Sequence, residues 1–417
     1  MNSEQLLDAL NEVDESFILE AAPKPEKQKP TTSPAWRKWL AAAVCLCLAV
    51  AAAVLFREGG VSVEADPPPI AAMDDEGPAV DEKDLPLIGI SPLMVNAGFE
   101  GRMCYSPEEL TGGNPWHEAW GVDTLPVYKS GYYDASGAGV PRGLNEDQLR
   151  ADLEEAASDL GLIILDTQVI ADGLRFDGET WVEDSETPTR IEAVTDRGTI
   201  GVSASGSVVY RPPAEQRLPD GLSLDPGDPV KMKEAAEYLL TVYGGFLGFA
   251  EPAITVSGDY DIYGEYWGWC GAYDAAGGER QDFLNYSFAS AGFIADGQGG
   301  LGSVSRSCLL ESADKMGDYP LIPPDEAREL LAAGNYQSSV PQSFPGTEYI
   351  AYTELVYRTG PSEEYLLPYY RFYVFLPEME AQMERLREGM HLYGAFYVPA
   401  IPSQYIVDMP LYDGRFG

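Results

Sequence analysis

Residues 40–56 carry no charge and are almost wholly apolar, whereas the rest of the chain mixes apolar and polar positions on a much shorter scale. At ~1.5 Å rise per residue, such a run is just long enough to cross a hydrocarbon core as a helix. A buried core helix would show a polar face, and this run has none. A cleaved leader would place its basic region at the very start of the chain. Here an acidic stretch comes first, so the pattern predicts a membrane span. Lys24, Lys27, Lys29, Arg37 and Lys38 precede the run and only Arg57 follows it closely. The bias of basic residues puts the amino terminus in the cytoplasm and residues 58–417 outside.

On the cytoplasmic side, Leu6, Leu10, Val13 and Phe17 recur at helical spacing, with Leu7 and Ile18 beside them. Asn2 or Ser3 can cap such a helix, and Glu4 suits its first turn. A helix this short cannot hide its own apolar stripe. Its acidic residues make an anionic membrane surface a poor place to bury it. The stripe therefore points to a protein partner, with Leu6, Leu10, Val13 and Phe17 as the contact residues.

The remaining periodicity divides the chain into seven segments. These are a cytoplasmic amphipathic helix (1–22), a basic proline-rich linker (23–35), the transmembrane helix (36–57), an acidic proline-rich spacer (58–90) and three α+β modules (91–215, 216–317, 318–417). Helices are expected at 145–160, from Asp228-Pro229 to Gly244-Gly245, and at 324–333. The second begins at a cap followed by a proline, the third begins at a proline, and both stop at glycine. Strands are expected at 162–170, 189–195, 199–204, 207–211, 253–259, 282–294, 301–310, 349–358, 366–376 and 392–401. The fold class is thus α+β: a single transmembrane helix followed by an ectodomain of repeated helix-plus-antiparallel-sheet modules.

Charge narrows the partners. The net charge of −40 falls almost entirely outside the membrane: −2 on residues 1–38 and −38 beyond the run. Such a surface repels nucleic acid, which is excluded as a partner. Cys104, Cys270 and Cys308 are the cysteines outside the run. Three allow at most one bridge, and the pairing stays open.

No motif commits the chain to catalysis or to a cofactor. His117 and His391 lack a neighbouring ligand at zinc spacing. Residues 297–302 match GxGxxG, but the alternation after them is that of a strand, so this is a hairpin turn. Asp259, Asp261 and Glu265 suggest calcium, yet Tyr263 and Cys270 stand where oxygen ligands belong. The densest aromatic stretch, 260–273, offers Tyr263, Trp267 and Trp269 as ligand-binding side chains. Sheet packing is the competing use of such residues. No nucleophile has a recognisable local setting, and the chain reads as a non-enzyme without cofactor or metal.

The stretch 9–22 (ALNEVDESFILEAA), the basic linker, and Trp36-Arg37-Lys38-Trp39 before the apolar run resemble clostridial single-pass membrane proteins of anti-sigma-factor-like topology. The cysteine-and-histidine zinc motif of many anti-sigma factors is absent. Tyr319-Pro320-Leu321-Ile322, Asp325-Glu326-Ala327, residues 350–357 and Leu367-Pro368-Tyr369-Tyr370-Arg371-Phe372 are similar to modules of extracytoplasmic accessory regulators of Gram-positive two-component systems. The two resemblances imply a membrane-bound, non-catalytic envelope regulator. Its cytoplasmic partner would be a sigma factor or sensor-kinase component, and its outer domain would meet an unidentified ligand. The other reading is a membrane-anchored extracellular binding protein for wall glycan or peptide, with no signalling role.

Overall fold

The computed structural model describes residues 84–93, 101–133, 143–176, 181–213 and 218–414. The chain divides into two units, 1–65 and 66–417, and every described residue belongs to the second. The helix expected at 1–22, the linker, the apolar run and most of the spacer lie outside the described residues. Among the described residues no helix is long and apolar enough to cross a membrane.

The described part is α+β with antiparallel sheets. In chain order its strands are β1 (Gly101–Cys104), β2 (Thr124–Lys129), β3 (Ile164–Ile170), β4 (Gly173–Phe176), β5 (Trp181–Asp184), β6 (Arg190–Thr195), β7 (Gly198–Ser203), β8 (Ser207–Arg211), β9 (Pro252–Tyr260), β10 (Tyr266–Asp274), β11 (Ala289–Ala295), β12 (Leu301–Cys308), β13 (Asp314–Pro320), β14 (Gln337–Ser338), β15 (Ile350–Tyr357), β16 (Tyr365–Leu366), β17 (Pro368–Phe375) and β18 (His391–Pro399). The main helices are α1 (Glu146–Asp159), α2 (Pro229–Leu247), α3 (Glu279–Phe288) and α4 (Pro324–Ala332).

Local chemistry starts the helices. At α1 the Asn145 side chain accepts from the Gln148 N–H, and the Gln148 side chain accepts from the Asn145 N–H, a reciprocal capping box. At α2 the Asp228 carboxylate accepts from the Lys231 N–H while Pro229 opens the first turn. The end of α2 departs from expectation. The helix runs through Gly244 and Gly245 and stops at Gly248, which takes the left-handed conformation at φ 65°. Two internal glycines disfavour a helix by about 1 kcal/mol each. Burial of Phe246 and Leu247, each at most 1% exposed, more than offsets this.

One sheet has eight strands in the order β3-β6-β7-β8-β12-β11-β10-β9. A helix precedes four of these strands in each half: α1 before β3, β6, β7 and β8, and α2 before β9, β10, β11 and β12. The halves meet where β8 pairs with β12, from Ser207 opposite Ser307 to Tyr210 opposite Val304. One core then runs under both helices, from Leu149 and Leu153 through Ile200, Tyr210 and Val304 to Leu239 and Phe246. Arg306, which also lies 3.5 Å from the Asp159 carboxylate, has a specific reason to be there. Its Nη1 donates to the Phe246 carbonyl at 2.8 Å, and the guanidinium lies 5.0 Å from the centre of the Phe246 ring.

The expected boundary at 215/216 therefore falls inside one continuous sheet. The other divisions are crossed as well. β1 and β2 lie in the range 91–215, where no strand was expected before residue 162, and pair with β18 and with β13 and β16 respectively. Together β1, β18, β17 and β15 make a second sheet, with β14 also on β18, and α4 packs against β18. Residues 282–294, expected as one strand, are the last two turns of α3 and then β11. Phe283, Leu284 and Phe288 share a buried helical face there, which alternation alone does not distinguish from a strand. The GxGxxG stretch lies in the hairpin joining β11 to β12, where Asp296 accepts from the N–H groups of Gln298 and Gly300.

Phe246→Ala is expected to lower unfolding free energy by about 3–5 kcal/mol. It removes both a buried ring and the platform under Arg306, and a urea titration followed by circular dichroism checks it.

Candidate functional site

Two features are built as sites rather than as plain core: the seat of the segment 84–93, and an exposed aromatic hairpin.

Residues 84–93 are extended and bound along most of their length. Leu85 and Ile88 are buried among Val127, Tyr319, Leu367, Tyr369 and Ile406. The Ile88 N–H donates to the Tyr405 carbonyl at 2.8 Å, and the Val407 N–H donates to the Ile88 carbonyl at 3.0 Å. Tyr319 Oη donates to the Pro86 carbonyl at 2.8 Å. Further along, Gln337 Nε2 and Arg358 Nη2 donate to the Ser91 carbonyl at 3.0 and 3.4 Å, and Arg358 Nη2 donates to the Pro92 carbonyl at 3.3 Å. The Glu364 N–H donates to Ser91 Oγ at 2.9 Å.

Arg358 is the centre of this seat. It is 7% exposed, pairs with the 3% exposed Glu363, donates to Gln337 Oε1, and lies 4.8 Å from the Tyr369 ring centre. Burial pushes the Glu363 carboxyl up from its ordinary range, and the guanidinium beside it opposes that shift. Glu363 Oε2, Arg358 Nε and the Tyr369 hydroxyl are buried without a hydrogen-bond partner among the described residues. A buried pair of this kind adds little net stability but is costly to break on one side. Its value here is positional, because the same guanidinium holds two carbonyls of the entering segment. No sequence motif marks Arg358, Glu363 or Ser91; a charged Arg-x4-Glu spacing beside an aromatic strand was the only trace.

The hairpin of β9 and β10 carries the three aromatic residues proposed from sequence. Tyr263, Trp267 and Trp269 are 54%, 57% and 59% exposed. Trp267 and Trp269 stand two residues apart in β10 and so share one face, opposite Asp259 and Ser257 of β9. Tyr263 lies in the turn, where Asp261 Oδ1 accepts from the N–H groups of Tyr263 and Glu265 at 2.9 Å. The Asp259 carboxylate accepts from the Met103 N–H at 3.0 Å and from the Tyr260 N–H at 2.9 Å. Burial pushes its carboxyl up from the ordinary range. Both aspartates are thus spent on backbone groups and do not converge with Glu265 as cation ligands. Among the described residues no group of three or more His, Cys, Asp or Glu is placed to hold a metal ion.

The remaining candidates are dispersed. His117 Nε2 is 3.8 Å from Glu279, and His391 Nδ1 is 3.3 Å from Glu380 with its ring edge-on to Phe375. Cys104, Cys270 and Cys308 are all free thiols. Burial pushes those of Cys104 and Cys270 up to about 12, far from the thiolate form that nucleophilic chemistry uses. Leu6, Leu10, Val13 and Phe17 lie outside the described residues. No protein-family model, curated protein or solved structure matches this chain.

Arg358→Met is expected to cost about 3–5 kcal/mol, since it strands a buried carboxylate. Arg358→Met with Glu363→Leu should recover most of that stability while still losing the bonds to Ser91 and Pro92. Hydrogen exchange of 84–93 in the double variant then separates seat from stability: faster exchange at near-native stability is expected.

Proposed function

We propose that this chain is a single-pass regulator of the cell envelope, with residues 40–56 as the span and the amino terminus in the cytoplasm. The ectodomain, built of repeated helix-plus-antiparallel-sheet elements, would sense an extracellular ligand and act as a binder rather than an enzyme. Residues 3–22 would contact a sigma factor or sensor-kinase component through Leu6, Leu10, Val13 and Phe17.

The observation that carries the reading is the seat of residues 84–93. A passive anchor needs only a loose tether between bilayer and domain. Here the end of the acidic spacer that follows the apolar run is drawn into the domain core at Leu85 and Ile88, and the chain is held again at Ser91. A rearrangement of β15, β17 or the 403–407 turn would therefore act directly on the segment leading toward the span. That is the mechanical requirement for passing a state from outside to inside.

The partner test is a pull-down from the native host with the full chain. Leu10→Glu with Phe17→Glu should abolish capture of a cytoplasmic regulator and alter envelope-related transcripts. Unchanged capture and unchanged transcripts would remove the reading.

The exposed aromatics favour a second reading, an anchored binding protein for wall glycan or peptide. Three large aromatic side chains more than half exposed on one hairpin are what a sugar-stacking platform uses. On this reading Trp267→Ala weakens sedimentation of the full chain with purified wall by about ten-fold, while the Leu10→Glu and Phe17→Glu changes have no effect.

A further inference from the structure

Among the described residues the second sheet ends at β15, which pairs with β17. Which of its backbone groups face outward follows from one contact. The Leu355 carbonyl accepts from Asn114 Nδ2 at 2.7 Å and so points away from β17. Residues two apart in a strand direct their backbone groups to the same side, so the N–H and C=O of Thr353 face outward too. Ala351 lies within a bulge between Ile350 and Tyr352. Neither Ala351 nor Thr353 makes a backbone hydrogen bond outside the β15–β17 ladder among the described residues.

Beside residues 350–353 of this strand is a cavity of 570 Å³. Residues 350–353 form one wall, and Trp116, His117, Glu118, Arg328 and Thr347 form the rest. Trp116 is buried and gives an apolar floor. Asn114 closes one end, since it also donates to Glu354 Oε2 at 3.0 Å. The rim is acidic. Arg328 is held between Glu118 and Asp325, the latter at 2.7 Å, and His117 faces Glu279. Glu348 is exposed beside Thr347. One guanidinium is thus outnumbered by four exposed carboxylates.

We propose that this groove binds an extended basic peptide as an added strand on β15. The outward N–H and C=O of Thr353 supply backbone pairing, which is the source of affinity in strand addition. The carboxylates of Glu118, Asp325 and Glu348 supply the preference for Lys or Arg at alternate positions of the peptide. A second copy of the chain is the poorer occupant. Self-pairing at β15 would bring the same acidic rims together on molecules that already repel each other. The inference goes beyond the regulatory reading and stands without it, because binding is measured with no cytoplasmic partner present.

The test uses the purified full chain and the peptide acetyl-Lys-Val-Lys-Val-Lys-Val-amide, followed by fluorescence anisotropy and by hydrogen exchange read by mass spectrometry. Binding that weakens with salt is expected, with slowed exchange at 350–357 and not at the edge strand 164–170. Methylating alternate peptide nitrogens keeps every charge and removes donors, and should weaken binding about ten-fold. Glu118→Gln with Asp325→Asn should weaken it about five-fold. Thr353→Pro should abolish it, and since a strand proline can also unfold the chain, the methylated peptide is the deciding comparison. Equal binding of the methylated and parent peptides overturns the proposal, as does equal binding of an acidic Glu-Val counterpart. So does protection confined to other strands, or a dimer whose 350–357 amides are already protected without peptide.

Discussion

Pairing of β8 with β12 is the contact on which the larger sheet depends. Each half of that sheet contributes one of the two helices, α1 or α2, and four strands. When the two last strands pair, Val304, Tyr210 and Ile200 become one continuous floor, and α1 and α2 cover it side by side. The antiparallel junction places Ser207 and Ser307 opposite each other, with their hydroxyls 3.0 Å apart on the face away from the helices. Arg306 then reaches from β12 to the last turn of α2 and fastens the seam to the helix layer.

The second sheet is locked by different means. β17 and β18 are buried along most of their lengths, and their aromatic side chains fill both faces. Charge enters this core only in compensated form. Arg371 pairs with the fully buried Glu354, and Arg358 pairs with Glu363. Arg358 also lies over the Tyr369 and Tyr397 rings and Arg371 over the Tyr373 ring, which lessens the cost of removing each from water. Arg358 has a further task, because its free donors face the entering chain at 91 and 92. The stability of the sheet and the seating of the segment 84–93 thus share one side chain.

Three surface features lie at the margins of this frame. The acidic surface, the aromatic hairpin and the open edge of β15 are all places where the core has finished its hydrogen bonding and packing. They differ in how they end. On the hairpin, Asp259 and Asp261 are consumed by backbone N–H groups and the aromatic rings remain outside. At β15, Asn114 satisfies Leu355 and the edge beyond it stays open.

Local signals were legible where the responsible groups lie within a few residues of one another. The Asp228-Pro229 start, the hairpin turn at 297–302 and many strand positions follow from short-range hydrogen bonding and periodicity, whereas the capping box at Asn145 and Gln148 and the strands β1, β2, β10 and β13 were not read from the sequence. The exposed state of Tyr263, Trp267 and Trp269 was only half visible: their clustering could be seen, but not which way the strand would turn them. Partnerships across hundreds of residues left no local trace. Thr124–Lys129 pairs with Asp314–Pro320, Gly101–Cys104 pairs with β18, and Arg358 meets Ser91. The amino-acid sequence by itself determined three of the main helices, many of the strands, and the division of charge across the apolar run, because these depend on neighbours along the chain. Only the tertiary structure decided that two helix-and-strand units share one sheet, which edge stays open, and where the segment 84–93 is held. Those outcomes depend on which distant surfaces bury each other, and that is a property of the packed whole.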